Sequence, residues 1–288
     1  MTLRISVIVP HYHDLPSLDR CLTALAAQTF PTAEREIVVA DNASPEGLAA
    51  VEAVVAGRAR VVLATERGAG PARNAGVAAS TAPLLAFTDA DCVPEPGWLA
   101  AGLAALDHHA LVGGKMYVIP SSGPASGAEG FERVFAFQNE RYVREVGFTV
   151  TANLFCPRAV FDRTGPFRVG VSEDIEWCHR ARDAGFRIGY AADARVGHPP
   201  RPDWPSLLAK WRRLQAERYA LVAGTARGRA RYLAQAWLLP PSIAVDARKV
   251  LRSPALSGRQ ERTAALATLA RLRLWRFLDA HLRVLARR

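Results

Sequence analysis

Short β-branched runs alternate with helical periodicity at the start of this chain, and that alternation narrows the available folds more than any other feature. Ile5-Ser6-Val7-Ile8-Val9, Glu36-Ile37-Val38-Val39-Ala40 and residues 60–64 read as buried strands. Between the first two, Leu18, Cys21, Leu22 and Leu25 recur at helical spacing within 17–28, with Ser17 as the expected cap; 48–55 reads as a second helix. A β-α-β-α-β order of this kind predicts a parallel sheet covered by helices. Ligands of open α/β sheets lie beyond the carboxyl ends of the strands, so the polar residues that follow each strand are the first candidates for a site.

The most informative of these follow the apolar run Leu84-Leu85-Ala86-Phe87. There, Thr88-Asp89-Ala90-Asp91 sets two carboxylates at i and i+2, leaving one face of an extended backbone. Hard oxygen donors in such a pair suit Mg²⁺ or Mn²⁺ and leave coordination positions open for a substrate's phosphate oxygens. Asp41 occupies the equivalent place after the second strand. Before the pair, Gly68-Ala69-Gly70-Pro71-Ala72-Arg73 enters an Ala-rich helix, where glycines let backbone approach an anion and Arg73 can add a charge-assisted bond. This is not the dinucleotide fingerprint, because the loop follows the third strand and Arg73 stands where a third glycine belongs.

Farther on, 99–106 reads as a helix and 111–119 as a strand. The Ser-, Gly- and Pro-rich stretch 120–130 reads as a mobile loop or lid, 131–146 as a helix, and Thr151–Phe155 as a pocket wall or strand. Ser172 is the expected cap of a helix whose first turn holds Asp174, a carboxylate placed to favour the helix dipole or to face a cleft. A final edge strand is expected at 185–190, and Val196-Gly197-His198-Pro199 closes the unit. Four scattered cysteines without C-x-x-C spacing indicate neither a zinc site nor a disulfide framework, and fit a reducing compartment. No basic n-region precedes the first strand, and no apolar run reaches membrane-spanning length.

The net charge of +10 is unevenly placed. From Arg201 onward there are 19 Lys+Arg against 5 Asp+Glu, leaving 18 against 22 in residues 1–200. Two parts are therefore expected: a near-neutral catalytic domain, 1–200, and a basic helical region, 201–288, drawn to an anionic surface.

Taken in order, Ser6-Val7-Ile8-Val9-Pro10, Val38-Val39-Ala40-Asp41-Asn42-Ala43-Ser44, Gly70-Pro71-Ala72-Arg73-Asn74, Thr88-Asp89-Ala90-Asp91 and Ser172-Glu173-Asp174 resemble the family 2 glycosyltransferases. The resemblance covers residues 1 to about 200. It implies the α/β GT-A fold, a mostly parallel, Rossmann-like sheet flanked by helices, with a nucleotide-sugar donor and inversion at the anomeric carbon. Carried over residue by residue, it gives Asp41 the donor's base, Arg73 the base or diphosphate, and Asp89 the ribose or sugar. Asp91 becomes the ligand of a Mg or Mn ion and Asp174 the catalytic base. His198 matches a histidine that completes the metal site in some related enzymes. Pro10 and Tyr12 fall where the nucleotide is wrapped, Tyr12 being placed to stack on the base.

The chain departs from the processive synthases of that family: Leu208-Ala209-Lys210-Trp211-Arg212 does not reproduce Gln-x-x-Arg-Trp, so addition of a single sugar to a glycan or lipid-linked acceptor is expected. In the basic region, 207–222 reads as a helix, Arg227, Arg229 and Arg231 as a loop, and 232–245 as an apolar stretch broken by Pro240-Pro241. In the last helix Leu274, Leu278, Leu282 and Leu285 share one face, with Arg276, Arg283 and Arg287 opposite. Such a face lies on an anionic bilayer from the cytoplasmic side, or packs on the catalytic domain or a second subunit in a homodimer. Nucleic acid is not expected as a partner, since no aromatics interleave with the arginines. Two other readings compete: a nucleotidyltransferase, which should carry a glycine-rich loop where Pro10-His11-Tyr12-His13-Asp14 stands, and a non-catalytic sugar-nucleotide or membrane-binding scaffold, which has no need of Asp89, Asp91 and Asp174 together.

Overall fold

A computed structural model describes residues 2–170 and 172–286. The chain divides into two compact units. The first comprises residues up to Tyr117 together with Gln138–His198, and the second Val118–Phe137 together with the chain from Pro199 onward.

In the first unit, β1 (Ile5–His11) is buried at all seven positions, as a parallel strand covered on both faces must be. Helix α1 (Leu15–Ala26) is capped by Asp14, which accepts from the Ser17 N–H at 3.1 Å, and not by Ser17 as the sequence suggested. Pro16 already lies in the first turn, where its fixed φ suits a helix, so the cap moves upstream. Then come β2 (Arg35–Asp41), α2 (Leu48–Val55), β3 (Arg60–Leu63), α3 (Ala69–Ala79) and β4 (Leu84–Phe87). Strand β1 pairs in parallel with β2 on one side and β4 on the other, and β3 joins β2. The sheet therefore reverses its winding between β1 and β4, which is where such folds open a crevice. Gly76 lets α3 lie against β1: a Cβ there would fall 2.6 Å from Ile8 Cγ2.

The chain continues through β5 (Val93–Pro94), α4 (Trp98–Leu106) and β6 (Leu111–Val118), then α5 (Gly127–Phe135), which belongs to the second unit. It returns with a single helical turn, α6 (Asn139–Arg141), running into a π-turn at 142–146, so the one helix expected over 131–146 is two separate pieces. After β7 (Leu154–Pro157), α7 (Arg158–Thr164) and α8 (Glu173–Asp183), β8 (Ile188–His198) completes an eight-stranded mixed sheet ordered β3-β2-β1-β4-β7-β6-β8-β5. Strand β7 runs antiparallel to β4 and β6, and β5 antiparallel to β8. The last strand is longer than expected and lies inside the sheet, since β5 covers its outer edge.

The second unit is helical. Its helices after α5 are α9 (Trp204–Ala220), α10 (Ala226–Trp237), α11 (Leu239–Arg252) and α12 (Gly258–Leu285). Arg227, Arg229 and Arg231 lie within α10 and not in a loop, because Thr225 caps that helix through the Gly228 N–H. Pro240-Pro241 opens α11, where the missing N–H groups leave no hydrogen bond unmade. Segment 118–137, placed by the sequence with residues 1–200, packs with these helices. Glu132, 2% exposed, accepts from Arg201 at 2.8 Å and Lys210 at 2.9 Å, while Glu261 accepts from the Ala125 N–H at 2.8 Å. Burial raises the Glu132 pKa, but Lys210 and Arg201 overcome that and the net shift is downward. The stretch expected as a mobile lid is thus tied down at Ala125 and at Ser121, whose N–H donates to Glu129.

The leucine face of α12 points outward, with Leu274, Leu278, Leu282 and Leu285 between 48% and 64% exposed. Arg276 is 7% exposed and turned to the interior of the unit. Arg287 lies outside the described residues. Among the described residues no helix is long and apolar enough to cross a membrane. All four cysteines are buried and free.

Candidate functional site

The carboxyl end of β4 delivers the Asp89/Asp91 pair into a tight turn, closed by the Cys92 N–H donating to the Asp89 carbonyl at 3.0 Å. Both carboxylates keep solvent access, their side chains being 34% and 43% exposed. Val93 then pairs with Gly197 across the antiparallel β5–β8 ladder. That register sets His198, the last residue of β8, beside Asp91: Nε2 lies 3.1 Å from Oδ2.

Asp89, Asp91 and Cys92 bring their ligand atoms within 4.8 Å of one another. Cys92 is not a fitting ligand. Burial, then the charges of Asp89 and Asp91, push its pKa well above the usual thiol value, and the neutral S–H sits 3.7 Å from Asp91 Oδ1. The Asp89 and Asp91 carboxylates are the hard donors that remain, with the borderline imidazole of His198 against Asp91, and their oxygens fit Mg²⁺ or Mn²⁺ with open positions left over.

Arg73 rises from α3 into the same end of the sheet and is 2% exposed. Its Nη2 donates to Asp89 Oδ1 at 2.6 Å and its Nη1 to Glu173 Oε1 at 3.0 Å. Burial lowers the Arg73 pKa, but Asp89, Asp174 and Glu173 outweigh burial and hold the guanidinium firmly charged. The loop leading into α3 is organised by Asn42, which donates to the Ala64 and Glu66 carbonyls and accepts from the Gly68 N–H at 2.8 Å. Gly68 has φ +127°, a conformation that glycine adopts without strain.

Asp174 stands in the first turn of α8. Ser172 precedes that helix but makes no side-chain cap. Thr151 donates to Asp174 Oδ1 twice, from its N–H at 3.1 Å and its hydroxyl at 2.7 Å, while no hydrogen bond from a described residue engages Oδ2. Desolvation raises the Asp174 pKa; Arg73 and the Thr151 hydroxyl pull the other way, Glu173 and Asp89 add to the rise, and the net shift is upward. A carboxylate held on one oxygen, with the other free and a raised pKa, is well arranged to take up a proton.

At the neighbouring strand ends Asp41 and His11 are almost fully buried and paired, Asp41 Oδ1 to His11 Nδ1 at 2.9 Å. Ser44 donates to Asp41 from both its hydroxyl and its N–H. Asp41 is thus held in this cluster, bracing the turn after β2 against the end of β1, and presents little surface of its own. Pro10 is buried opposite Ala40, whereas Tyr12, just past β1, is 59% exposed with its ring available.

The structure thus gathers Asp89, Asp91, Arg73, Asp174 and His198 at one end of the sheet. Sequence reasoning missed Glu173 and Thr151 as partners and gave Ser44 no role. The first two lay within motifs already singled out, but which neighbour faces the arginine or the base depends on helix rotation. A cavity of about 480 Å³, lined by Arg35, Glu36, Arg58 and Arg60, opens at the amino ends of β2 and β3, away from these groups.

The sequence model of glycosyl transferase family 2 matches residues 6–174. Glycosyltransferase AglE of Haloferax volcanii is 32% identical over 207 residues, 69% of this chain and 67% of AglE. Pre-mycofactocin glycosyltransferase of Mycobacterium tuberculosis is 27% identical over 214 residues, 69% of this chain but 44% of that protein. Among solved structures, the mannosyltransferase PcManGT from Pyrobaculum calidifontis, in complex with GDP-Man and Mn²⁺, superposes with a TM-score of 0.62 at 21% identity, covering 99% of this chain and 88% of that one. S. aureus TarS gives 0.54 at 16% identity, covering 98% of this chain and 55% of TarS. At these identities the structures establish a shared fold.

Proposed function

The chain belongs to glycosyl transferase family 2, and from that premise we propose that it moves one sugar from a nucleotide-sugar donor to an acceptor hydroxyl with inversion. The observation that carries this reading is the convergence at one sheet end of Asp91 and His198 with the Arg73–Asp89–Glu173 ion pairs and the half-free Asp174.

Asp91 and His198 would hold a divalent cation, with Asp89 beside them. Such an ion, when bound, offsets the charge that gathers on a leaving diphosphate. Arg73 fixes the rotamer of Asp89, so that this carboxylate is aimed before the donor arrives. Asp174 Oδ2 accepts the proton of the attacking acceptor hydroxyl, while Thr151 keeps the carboxylate from rotating. General-base catalysis of this kind contributes roughly 10²–10⁴-fold. Attack from the side opposite the leaving group inverts the anomeric centre. Exposed Tyr12 offers a ring for the base, and the Asp41–His11–Ser44 cluster holds the turn from which it projects.

Two features support a lipid-borne acceptor and peripheral attachment to the cytoplasmic face of a membrane: the basic charge of the second unit and the outward leucine face of α12. The decisive test is a panel of UDP-, GDP- and dTDP-sugars with Mn²⁺, scored by thermal stabilisation and slow donor hydrolysis. A Tm rise with one donor, abolished by EDTA, is expected; failure of every donor to shift Tm or to be hydrolysed would return the chain to the scaffold reading.

A further inference from the structure

We propose that the helical second unit carries its own binding site for a phosphate group, centred on Arg276. A cavity of about 260 Å³ opens among α9, α10, α11 and α12, lined by Gln215, Arg218, Tyr232, Leu238, Arg273 and Arg276. Its volume is several times the ~30 Å³ that one water occupies in the liquid, so it has room for a phosphate or diphosphate.

Arg276 is 7% exposed, yet it forms none of the salt bridges among the described residues, and its buried Nε has no hydrogen-bond partner. Its guanidinium lies 4.2 Å from the centre of the Trp211 ring. That stacking engages the flat face of the group, whereas the five N–H donors point outward in its plane and need acceptors. The carboxylates on the surrounding helices are committed elsewhere. Asp246 binds Lys249 at 2.9 Å and Arg273 at 2.6 Å, Asp279 binds Arg283, and Glu217 faces Arg213. Burial, then the charges of Arg273 and Arg218, push the Arg276 pKa down to about 9. Positive charge here is in excess, and it lines an open volume.

A buried cation without a counter-ion is strongly unfavourable, and an anion entering the cavity would relieve it. Three arginines around one space match a tetrahedral phosphate, whose oxygens accept from several directions, better than a single planar carboxylate. Gln215 and Tyr232, already joined at 3.3 Å, add neutral polar groups to the wall. At the rim, Leu238 is 66% exposed, and the adjacent Trp237 62%. A phosphate carried on a lipid would find an apolar margin there, while a free phosphate would use the arginines alone.

The test uses the full chain in EDTA, so that binding at the carboxylate pair through a divalent ion is suppressed. In one arm inorganic pyrophosphate is titrated while tryptophan fluorescence and Tm are followed. In the other, phosphatidylcholine vesicles with and without phosphatidic acid are sedimented with the protein. We expect saturable binding in at least one arm, weakened tenfold or more by R276Q. R218Q changes an exposed residue of the same wall and should weaken it similarly, which keeps the test decisive if R276Q does not fold. A response to pyrophosphate alone identifies a soluble anion, and one confined to phosphatidic acid vesicles identifies a lipid headgroup. If wild type, R218Q and any folded R276Q behave alike in both arms, the site does not exist. Donor turnover is read separately, so this outcome leaves the transferase reading untouched.

Discussion

His198 Nε2 lies 3.1 Å from Asp91 Oδ2, a pairing made by the antiparallel register of β5 against β8. The family resemblance put both residues at one metal site, and the strand register shows how residues 107 positions apart come together. Their meeting, on the side of the sheet that also presents Asp89, sets an imidazole against one carboxylate of the Asp-x-Asp pair.

If His198 and Asp91 share a cation, H198A should weaken Mn²⁺ binding in the presence of a nucleoside diphosphate on the order of tenfold or more, the scale seen even for supporting residues of metal sites. D91N should abolish it. Calorimetric titration with Mn²⁺ checks both, and unchanged affinity in H198A would remove the histidine from the site.

If Asp174 is the base, it carries the pH dependence. Its raised pKa puts the acid limb of kcat/KM above the ordinary aspartate range, with activity lost as pH falls through it because the base becomes protonated. D174N should retain donor affinity and lose roughly 10²–10⁴-fold in turnover. A pH–rate profile and single-turnover assays test this, and retained turnover would mean that another group is the base.

The same shift links to stability. Folded Asp174 holds its proton more tightly than the unfolded chain does. Its contribution is therefore fully present below the unfolded pKa and is lost as pH rises through the folded one. D174N should thus melt no lower than wild type at neutral pH, with any advantage shrinking as pH is lowered; a Tm series across pH reads the sign.

Arg73 sits among Asp89, Glu173 and Asp174, so R73M leaves three carboxylates facing one another. Without its lowering influence the Asp174 pKa should climb further, moving the acid limb of activity to still higher pH. Because Asp89 and Glu173 remain partly exposed, the loss of stability should stay below the ~3–5 kcal/mol of a fully buried pair. Chemical denaturation and the pH profile together separate the two effects.

Gly76 fixes the approach of α3 to the sheet. G76A places a methyl 2.6 Å from Ile8 Cγ2 and should destabilise by about 1–3 kcal/mol. Since Arg73 stands one turn earlier on the same helix, turnover should drop as well, and a variant with wild-type Tm and activity would show that α3 shifts freely.

By itself the sequence determined the parallel half of the sheet. Each of β1, β2 and β4 is a local apolar run that must be buried on both faces; β2 ends in Asp41 and β4 runs into the Asp89/Asp91 pair. Candidate chemistry was legible for the same reason, since motifs at strand ends are written in consecutive residues. The tertiary structure alone decided which of these groups meet. Strand register brought His198 to Asp91, the rotation of α8 gave Glu173 to Arg73 and Asp174 to Thr151, and the Glu132 ion pairs, with the Ala125 N–H hydrogen bond to Glu261, placed segment 118–137 with the helical unit. It also turned Arg276 inward and the α12 leucines outward. Periodicity states that a helix has two faces, but which one is buried depends on what distant parts of the chain bring against it.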